Sequence, residues 1–197
     1  MEIYKSGVIV SDKVTYTDRA NNIFAIKDVD YSDDVVMPDF SLENQETGHV
    51  ESAIKQSDQL QIIFSSKQTE EKEQATIPLP EKAIIDAGFD QFIIKYWDQI
   101  IEGEKLVRQM LIPSMKRFIE FRIYQSEKDE VNGIRTLIVE PNSLLLRFVA
   151  DPLVLQYDLD QPRLNLFEGV SNMRDAQGKN LLVKIKFDPN FEQAKAK

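Results

Sequence analysis

The chain has 197 residues, which is enough for one well-buried core, and 42% of them are hydrophobic, so disorder over most of its length is excluded. The formal net charge is -9, without a basic face to offset it, which argues against binding to nucleic acids or to anionic bilayers. There is no cysteine, no apolar run near the roughly 18 residues of a membrane span and no signal-peptide pattern at the start, so we expect one soluble domain over residues 1–197.

The first third of the chain predicts antiparallel strands. Apolar and polar residues alternate through residues 8–16 and again through residues 23–31, with a turn at residues 18–22. Residues 28–54 contain eight acids and no lysine or arginine, and Pro38 interrupts them. We expect this acidic segment to be a long excursion whose ends pair and whose middle is exposed.

The next part predicts a hairpin followed by a loop. Residues 54–64 alternate again around a turn at residues 56–58. Residues 65–74 are polar and mixed in charge, so we expect an exposed loop that is a target for proteolysis. A polar, frayed tail is expected at residues 192–197.

From residue 78 the hydrophobic period changes from that of a strand to that of a helix. Large apolar side chains recur at the spacing of one helical face: Phe89, Phe92, Ile93, Tyr96, Trp97, Ile100 and Ile101. Asp86 or Asp90 lies near the start, where a carboxylate can accept from unpaired amides, and Gly103 follows the end, where a left-handed cap is favoured. The pattern predicts a helix over residues 89–102 that is buried against the concave side of a sheet.

Strand patterns return after the helix. They cover residues 105–112, 118–125, 134–140, 153–160, 163–168 and 181–187. Turn sequences at residues 132–133, 160–163 and 175–178 predict hairpins. Residues 144–149 fit either a short helix or turn, which we favour, or a fully buried strand. The predicted fold class is therefore mainly β (α+β), with a curved antiparallel sheet or half-barrel and one amphipathic helix packed on its concave face.

Motifs for catalysis or metal binding are missing from the sequence. His49 is the only histidine, and no serine lies in a nucleophile-elbow motif, so we expect a structural histidine. Aspartates at positions 28, 30, 33 and 34 resemble a calcium loop, but Asp33 stands where an EF-hand requires glycine. We therefore predict no catalytic residue, no metal site and no cofactor.

A binding hypothesis rests on apolar side chains of the β region. The predicted ligand-binding residues are Met110, Met115, Phe148, Leu153, Leu155 and Phe167. Methionine and aromatic side chains suit a lipid-like ligand in a pocket of the curved sheet. The same residues would also simply fill a core against the helix.

Several segments of the sequence carry a resemblance to a known protein family. They are Tyr157-Asp-Leu-Asp-Gln-Pro-Arg-Leu-Asn-Leu-Phe-Glu-Gly169 with the following residues 170–178, Val14-Thr-Tyr-Thr-Asp18, Pro38-Asp-Phe40, Asp86-Ala-Gly-Phe-Asp90 and Trp97. On these phrases most of the chain resembles an uncharacterised family of exported proteobacterial proteins of unknown function. The resemblance implies a periplasmic location and an export signal that this chain lacks, and it implies no catalytic residue.

A looser similarity is at the level of fold alone. The predicted architecture is similar to the periplasmic lipoprotein-carrier half-barrels, in which an antiparallel sheet curls around helices and holds acyl chains. The first hypothesis is therefore a non-enzymatic periplasmic binding module for a lipid or other apolar ligand. The alternative is a structural or protein-interaction domain that uses the acidic segment 28–54 or an exposed sheet edge. An unrecognised hydrolase ranks last.

Overall fold

Two sheets make up most of the protein. The computed structural model describes residues 1–5, 7–67, 70–127, 133–148 and 150–188. Its strands form two seven-stranded sheets, and in each sheet the strands follow chain order. Strands account for 55% and helices for 11% of the structure, and the sheets do not close into a barrel. The mainly β fold class is thus confirmed, with two sheets in place of the single sheet expected.

The first sheet is antiparallel throughout. Its strands are β1 (Glu2–Lys5), β2 (Val8–Thr17), β3 (Ile23–Asp30), β4 (Asp39–Asn44), β5 (Val50–Gln56), β6 (Gln59–Ser65) and β7 (Glu73–Pro78). In the turn between β2 and β3, the Asp18 carboxylate accepts hydrogen bonds from the amides of Ala20 and Asn22. In the turn between β5 and β6, Ser57 has a positive φ of 59°. Both turns are confirmed.

The acidic segment agrees with the prediction at its ends, which pair in β3 and β5, and differs from it in the middle. The middle is not an exposed excursion, because β4 and β5 lie inside the first sheet. β4 buries alternate side chains, and β5 buries the consecutive residues Glu51, Ser52 and Ala53. Phe40 is 2% exposed and Leu42 is fully buried, while Ser41 and Glu43 between and beside them are exposed. In β4, the alternation of apolar and polar side chains therefore predicts burial better than the number of acidic residues does. The predicted loop at residues 65–74 is also shorter, since β7 already begins at Glu73.

The second sheet contains the remaining strands. They are β8 (Ala83–Ile84), β9 (Leu106–Ile112), β10 (Arg117–Gln125), β11 (Ile134–Pro141), β12 (Leu153–Asp158), β13 (Leu164–Arg174) and β14 (Asn180–Lys186). Every neighbouring pair is antiparallel except β8 and β9, which are parallel. Predicted strands match β9 to β14, although β13 continues to residue 174. The predicted turn at 132–133 falls partly, and the predicted tail at 192–197 falls entirely, outside the described residues.

The predicted helix is present but broken. It consists of α1 (Gly88–Lys95) and α2 (Trp97–Ile101), and Tyr96 between them has non-helical angles, φ -111° and ψ 19°. Gly103 takes φ 96°, and the amides of Gly103 and Glu104 donate to the carbonyls of Ile100 and Gln99. This is the predicted left-handed cap. Within the described residues, no helix has the length and hydrophobicity to cross a membrane.

The predicted N-terminal cap is wrong. Neither the Asp86 nor the Asp90 carboxylate caps the first turn of α1; the Phe89 amide donates to the backbone carbonyl of Asp86 instead. The Asp86 carboxylate instead pairs with Lys27 of β3, and the Asp90 carboxylate accepts a hydrogen bond of 2.8 Å from the Tyr157 hydroxyl. Both acids lie near the helix start, as the sequence indicated, but they bind side chains from the two sheets.

The core has two main parts. In the first, the helices pack on the second sheet, and Phe92, Trp97 and Ile100 contact strand residues such as Leu137 and Leu155. In the second, residues of β4 and β6 pack against Ile85 and Leu111, which joins the two sheets. A further short helix, α3 (Leu144–Arg147), follows β11 and confirms the prediction for that segment.

Candidate functional site

The connection between β11 and β12 exposes an unusual amount of apolar surface. Leu144, Leu145 and Phe148 are 68%, 79% and 86% exposed, and they are three of the four most exposed large apolar side chains in the described chain. Phe148 directly follows α3 with helical angles, so it is the i+4 neighbour of Leu144 and the i+3 neighbour of Leu145 on the helix surface. We call these three residues the apolar tip.

Local backbone bonds explain why the chain turns outward here. Pro141 forms the last pair of β11 with β10, opposite Phe121, and the Asn142 amide then donates to the carbonyl of Glu120 at 2.8 Å. Ser143 is extended, with φ -71° and ψ 127°, and α3 begins directly after it. Leu146 and Arg147 are half-buried, so they anchor the underside of α3 while the apolar tip faces outward.

A polar cluster lies beneath the tip. One oxygen of Glu140 accepts hydrogen bonds from the Arg122 Nε at 2.5 Å and from the Tyr124 hydroxyl at 2.9 Å. A guanidinium nitrogen of Arg147 lies 3.9 Å from the same oxygen, and the Lys105 ammonium lies 4.6 Å from the centre of the Tyr124 ring. We call Arg122, Tyr124, Glu140 and Arg147 the Glu140 cluster. It ties α3 to β10 and β11.

The titration of Glu140 gives a test of this cluster. Burial raises the pKa of Glu140, but hydrogen bonds from Arg122 and Tyr124 and the arginine charges lower it by more, so its pKa is below 4.5. A lowered pKa stabilises the fold at pH values above the unfolded-state pKa, and this contribution is lost as the pH falls through the folded-state pKa. Glu140→Gln is therefore expected to lower the melting temperature at neutral pH, with a difference that shrinks in acid.

Thermal unfolding between about pH 3 and pH 8 measures this effect. Glu168→Gln is the matched control, because Glu168 forms a half-exposed pair with Lys184 and is expected to change little. If Glu140→Gln lowered the melting temperature by the same amount at every pH, the stabilising role of the ionised Glu140 carboxylate would be contradicted.

The structure divides the predicted ligand-binding residues into two sets. Four lie together on the helix-facing side of the second sheet, in or against the core: Met110, Leu153, Leu155 and Phe167. Leu155 is 1% exposed, so it is part of the packing. Phe148 belongs to the apolar tip, and Met115 is 44% exposed in the short 3-10 helix Pro113–Met115. Whether any of them binds a ligand stays a prediction.

Two surface grooves in the described part of the chain have linings without any of these residues. One groove of about 360 Å³ lies beside Pro80, Val107 and Arg108, and another of about 340 Å³ lies beside Gly48 and Val50. Charged and amide side chains form much of both linings. Apolar contact is therefore offered by the convex tip and not by these grooves.

His49 lies directly before β5. It is fully buried, and its Nδ1 lies 2.8 Å from the carbonyl oxygen of Ser65. Its Nε2 lies 3.4 Å from a carboxylate oxygen of Glu51, which is 3% exposed. Both partners come from the first sheet, so the histidine links β5 to the end of β6.

The aspartates of the supposed calcium loop point to separate partners. Asp28 pairs with Lys13 at 3.3 Å and Asp33 pairs with Lys55 at 2.6 Å. Asp30 and Asp34 accept hydrogen bonds from nearby backbone amides. Across the described ranges, no three acidic or histidine side chains form a group that could hold a metal.

Comparison with known proteins gives no further guidance, since no family model, curated protein or solved structure matches the chain. The resemblance to the exported proteobacterial family stays a prediction. Its most distinctive phrase begins at Tyr157, a fully buried residue that packs against Trp97 and hydrogen-bonds Asp90. Function has to be inferred from geometry.

Proposed function

We propose that the protein is a non-enzymatic binding module that docks reversibly on a lipid surface through the apolar tip. The observation that carries the proposal is the exposure of Leu144, Leu145 and Phe148, at 68%, 79% and 86%, on one side of a short helix. A convex helix cannot enclose a small ligand, but it can insert into the interface of a lipid layer. A periplasmic location stays a prediction from the resemblance.

The size of the tip fits weak, reversible docking. Burying one leucine or phenylalanine side chain contributes about 1.5–3 kcal/mol. Three such residues contribute several kcal/mol, from which the loss of translational and rotational freedom is subtracted. The Arg147 guanidinium of α3 lies 3.9 Å from Glu140, and the backbone bonds from Arg147 to Ser143 and from Ala150 to Leu146 form the helical turn before docking.

The net charge of the chain indicates which kind of lipid surface it can approach. A net charge of -9 is repelled by an anionic surface, and Arg122 and Arg147 of the Glu140 cluster already face the Glu140 carboxylate. The proposed surface is therefore zwitterionic or uncharged. Binding to such a surface depends little on salt, because it rests on apolar contact.

Co-sedimentation with phosphatidylcholine vesicles tests the proposal. The wild type is expected to sediment with the vesicles, and the double variant Leu145→Glu, Phe148→Glu is expected to stay in the supernatant. Ile23→Glu is the matched control, because Ile23 is 53% exposed but lies on the first sheet. Equal sedimentation of the wild type and the double variant would contradict the proposal.

The acidic segment supports a docking role less well. Residues 39–44 and 50–56 form β4 and β5 inside the first sheet, and their backbone groups pair with strands on both sides. Only side chains on one face are left for a partner. The other part of this alternative, an exposed sheet edge, does not depend on the acidic segment, and β14 is such an edge strand.

A further inference from the structure

The second sheet ends in an unusually apolar edge. β14 is the last strand of this sheet, and Leu181, Ile185 and Phe187 are 40%, 41% and 43% exposed on or beside it. Odd-numbered residues share one face with half-buried Val183, and Leu182, which is 72% exposed, lies on the other face. The core cluster beneath α1 and α2 takes its strand residues from β8 to β13, so the helices leave β14 uncovered.

Backbone geometry decides which groups are free along this edge. The Phe187 amide donates to the carbonyl of Asn165 at 3.0 Å, and the same register pairs Ile185 with Phe167 and Val183 with Gly169. In an antiparallel ladder, alternate residues direct both N–H and C=O to the same neighbour. The odd-numbered residues therefore face β13, and Leu182, Lys184 and Lys186 direct their N–H and C=O groups to the open edge.

We propose that a second copy of this chain pairs with β14 through its own β14, antiparallel and about a twofold axis at Val183. This register places Leu182 opposite Lys184 of the second copy, and within the described residues no strand pairs with the N–H and C=O groups that both residues direct to the edge. It also places Leu181 opposite Ile185 of the second copy, so the apolar faces of the two β14 strands lie side by side. The two second sheets become one continuous sheet with an isologous interface.

Charge favours this register over its neighbour. A twofold axis at Lys184 would place two lysines directly opposite each other, which is destabilising. With the axis at Val183, Lys184 faces leucine and Lys186 faces Asn180 of the second copy. The apolar tip takes no part in this pairing, so it is independent of the proposed lipid docking.

Two variants of one residue test the pairing through charge. Leu182→Lys places a lysine opposite Lys184 of the second copy, whereas Leu182→Glu places a carboxylate there. Both variants lose the same apolar side chain, so their difference reports the charge alone. Since the contact occurs twice by symmetry, the dimer dissociation constant of Leu182→Lys is expected to exceed that of Leu182→Glu by about tenfold at low salt.

Sedimentation velocity over a concentration series measures the dissociation constants. A concentration-dependent dimer in the wild type, with the expected order of the two variants and a smaller difference at high salt, supports the pairing. A wild-type protein that stays monomeric at all concentrations overturns it. A dimer that responds equally to both variants also overturns it, because such a dimer uses another surface.

A cysteine at the axis gives a second, independent measurement. The chain contains no cysteine, so Val183→Cys carries one thiol. At a non-hydrogen-bonded antiparallel pair the Cα atoms are about 4.5 Å apart, within the range for a disulfide. Val183→Cys is expected to form a disulfide-linked dimer on mild oxidation, and Ile185→Cys, whose two copies lie far apart in this register, is not. Equal crosslinking of both variants would overturn the register.

Discussion

Replacing Asp86 with asparagine is expected to destabilise the protein by about 3–5 kcal/mol, because it leaves a buried lysine without its counter-charge. The Lys27 ammonium lies 2.6 Å from one Asp86 oxygen, and the two side chains are 11% and 13% exposed. The other Asp86 oxygen accepts a hydrogen bond from the Asn172 amide at 3.2 Å. Asp86, which lies just before α1, thus connects to β3 of the first sheet through Lys27 and to β13 of the second sheet through Asn172.

The titration of Lys27 sets the pH range of this effect. Burial lowers the pKa of Lys27, but the Asp86 carboxylate, with smaller contributions from Tyr16 and Glu51, raises it by more, so its pKa lies above 10.5. A raised pKa stabilises the fold below the unfolded-state pKa, and the contribution is lost as the pH rises through the folded-state pKa. The cost of Asp86→Asn is therefore expected to be constant around neutral pH.

Denaturant unfolding of single and double variants measures the coupling. Lys27→Met with Asp86→Asn is expected to recover most of the loss, since replacing both charges leaves no buried ion unpaired. Asp28→Asn is the control, because its pair with Lys13 is more than half exposed on both sides and is expected to change stability by less than about 1 kcal/mol. Additive losses in the double variant would contradict the coupling.

Trp97→Ala is expected to cost about 3–5 kcal/mol, the usual loss for truncating a buried aromatic side chain. Trp97 is 6% exposed, its ring centre lies 5.7 Å from that of Tyr157, and its Nε1 donates to the Leu159 carbonyl at 3.3 Å. Trp97 therefore ties α2 to β12 by packing on Tyr157, and to the residue directly after β12 by its hydrogen bond.

Ile94→Ala is the matched control for this substitution. Ile94 lies on the neighbouring helix α1 but is 41% exposed, so the loss on its truncation is expected to be much smaller. Denaturant unfolding compares the two variants. A Trp97→Ala cost below about 1 kcal/mol would mean that this helical face is not core.

Much of the fold follows from periodicity. The helix face from Phe89 to Ile101 and the strands after it were predictable because their apolar positions recur at one clear period. Gly103 marked the helix end because a left-handed cap favours glycine. The break at Tyr96 leaves the apolar face continuous, so the helical period carries no sign of it.

The prediction for residues 28–54 was wrong where it relied on acidic charge and not on the alternation of apolar and polar residues. The acids of residues 28–54 suggested an exposed excursion, yet Phe40 and Leu42 alternate with polar neighbours as in a half-buried strand. The same rule could have identified Lys27 as buried, since it shares a face with Ala25 and Val29. Its partner Asp86 is 59 residues away, and a local pattern gives no sign of such a pair.

The apolar tip was predictable as a short helix but not as a surface. Leu144, Leu145 and Phe148 have the composition of a core, and hydrophobicity alone does not distinguish a buried residue from an exposed one. Prolines at positions 141 and 152 bracket the segment, which is the one sequence signal that it leaves the sheet. Its outward direction depends on how Leu146 and Arg147 pack on the second sheet.

The most direct test of the lipid-docking proposal is the environment of residue 145 in the presence of phosphatidylcholine vesicles. Because the chain has no cysteine, Leu145→Cys can carry a single environment-sensitive fluorophore such as NBD, and Asp58→Cys on the exposed turn after β5 gives the control position. The proposal predicts that vesicles shift the emission at position 145 to the blue and protect it from an aqueous quencher, while position 58 is unchanged. Unchanged emission and full quenching at position 145 would contradict it.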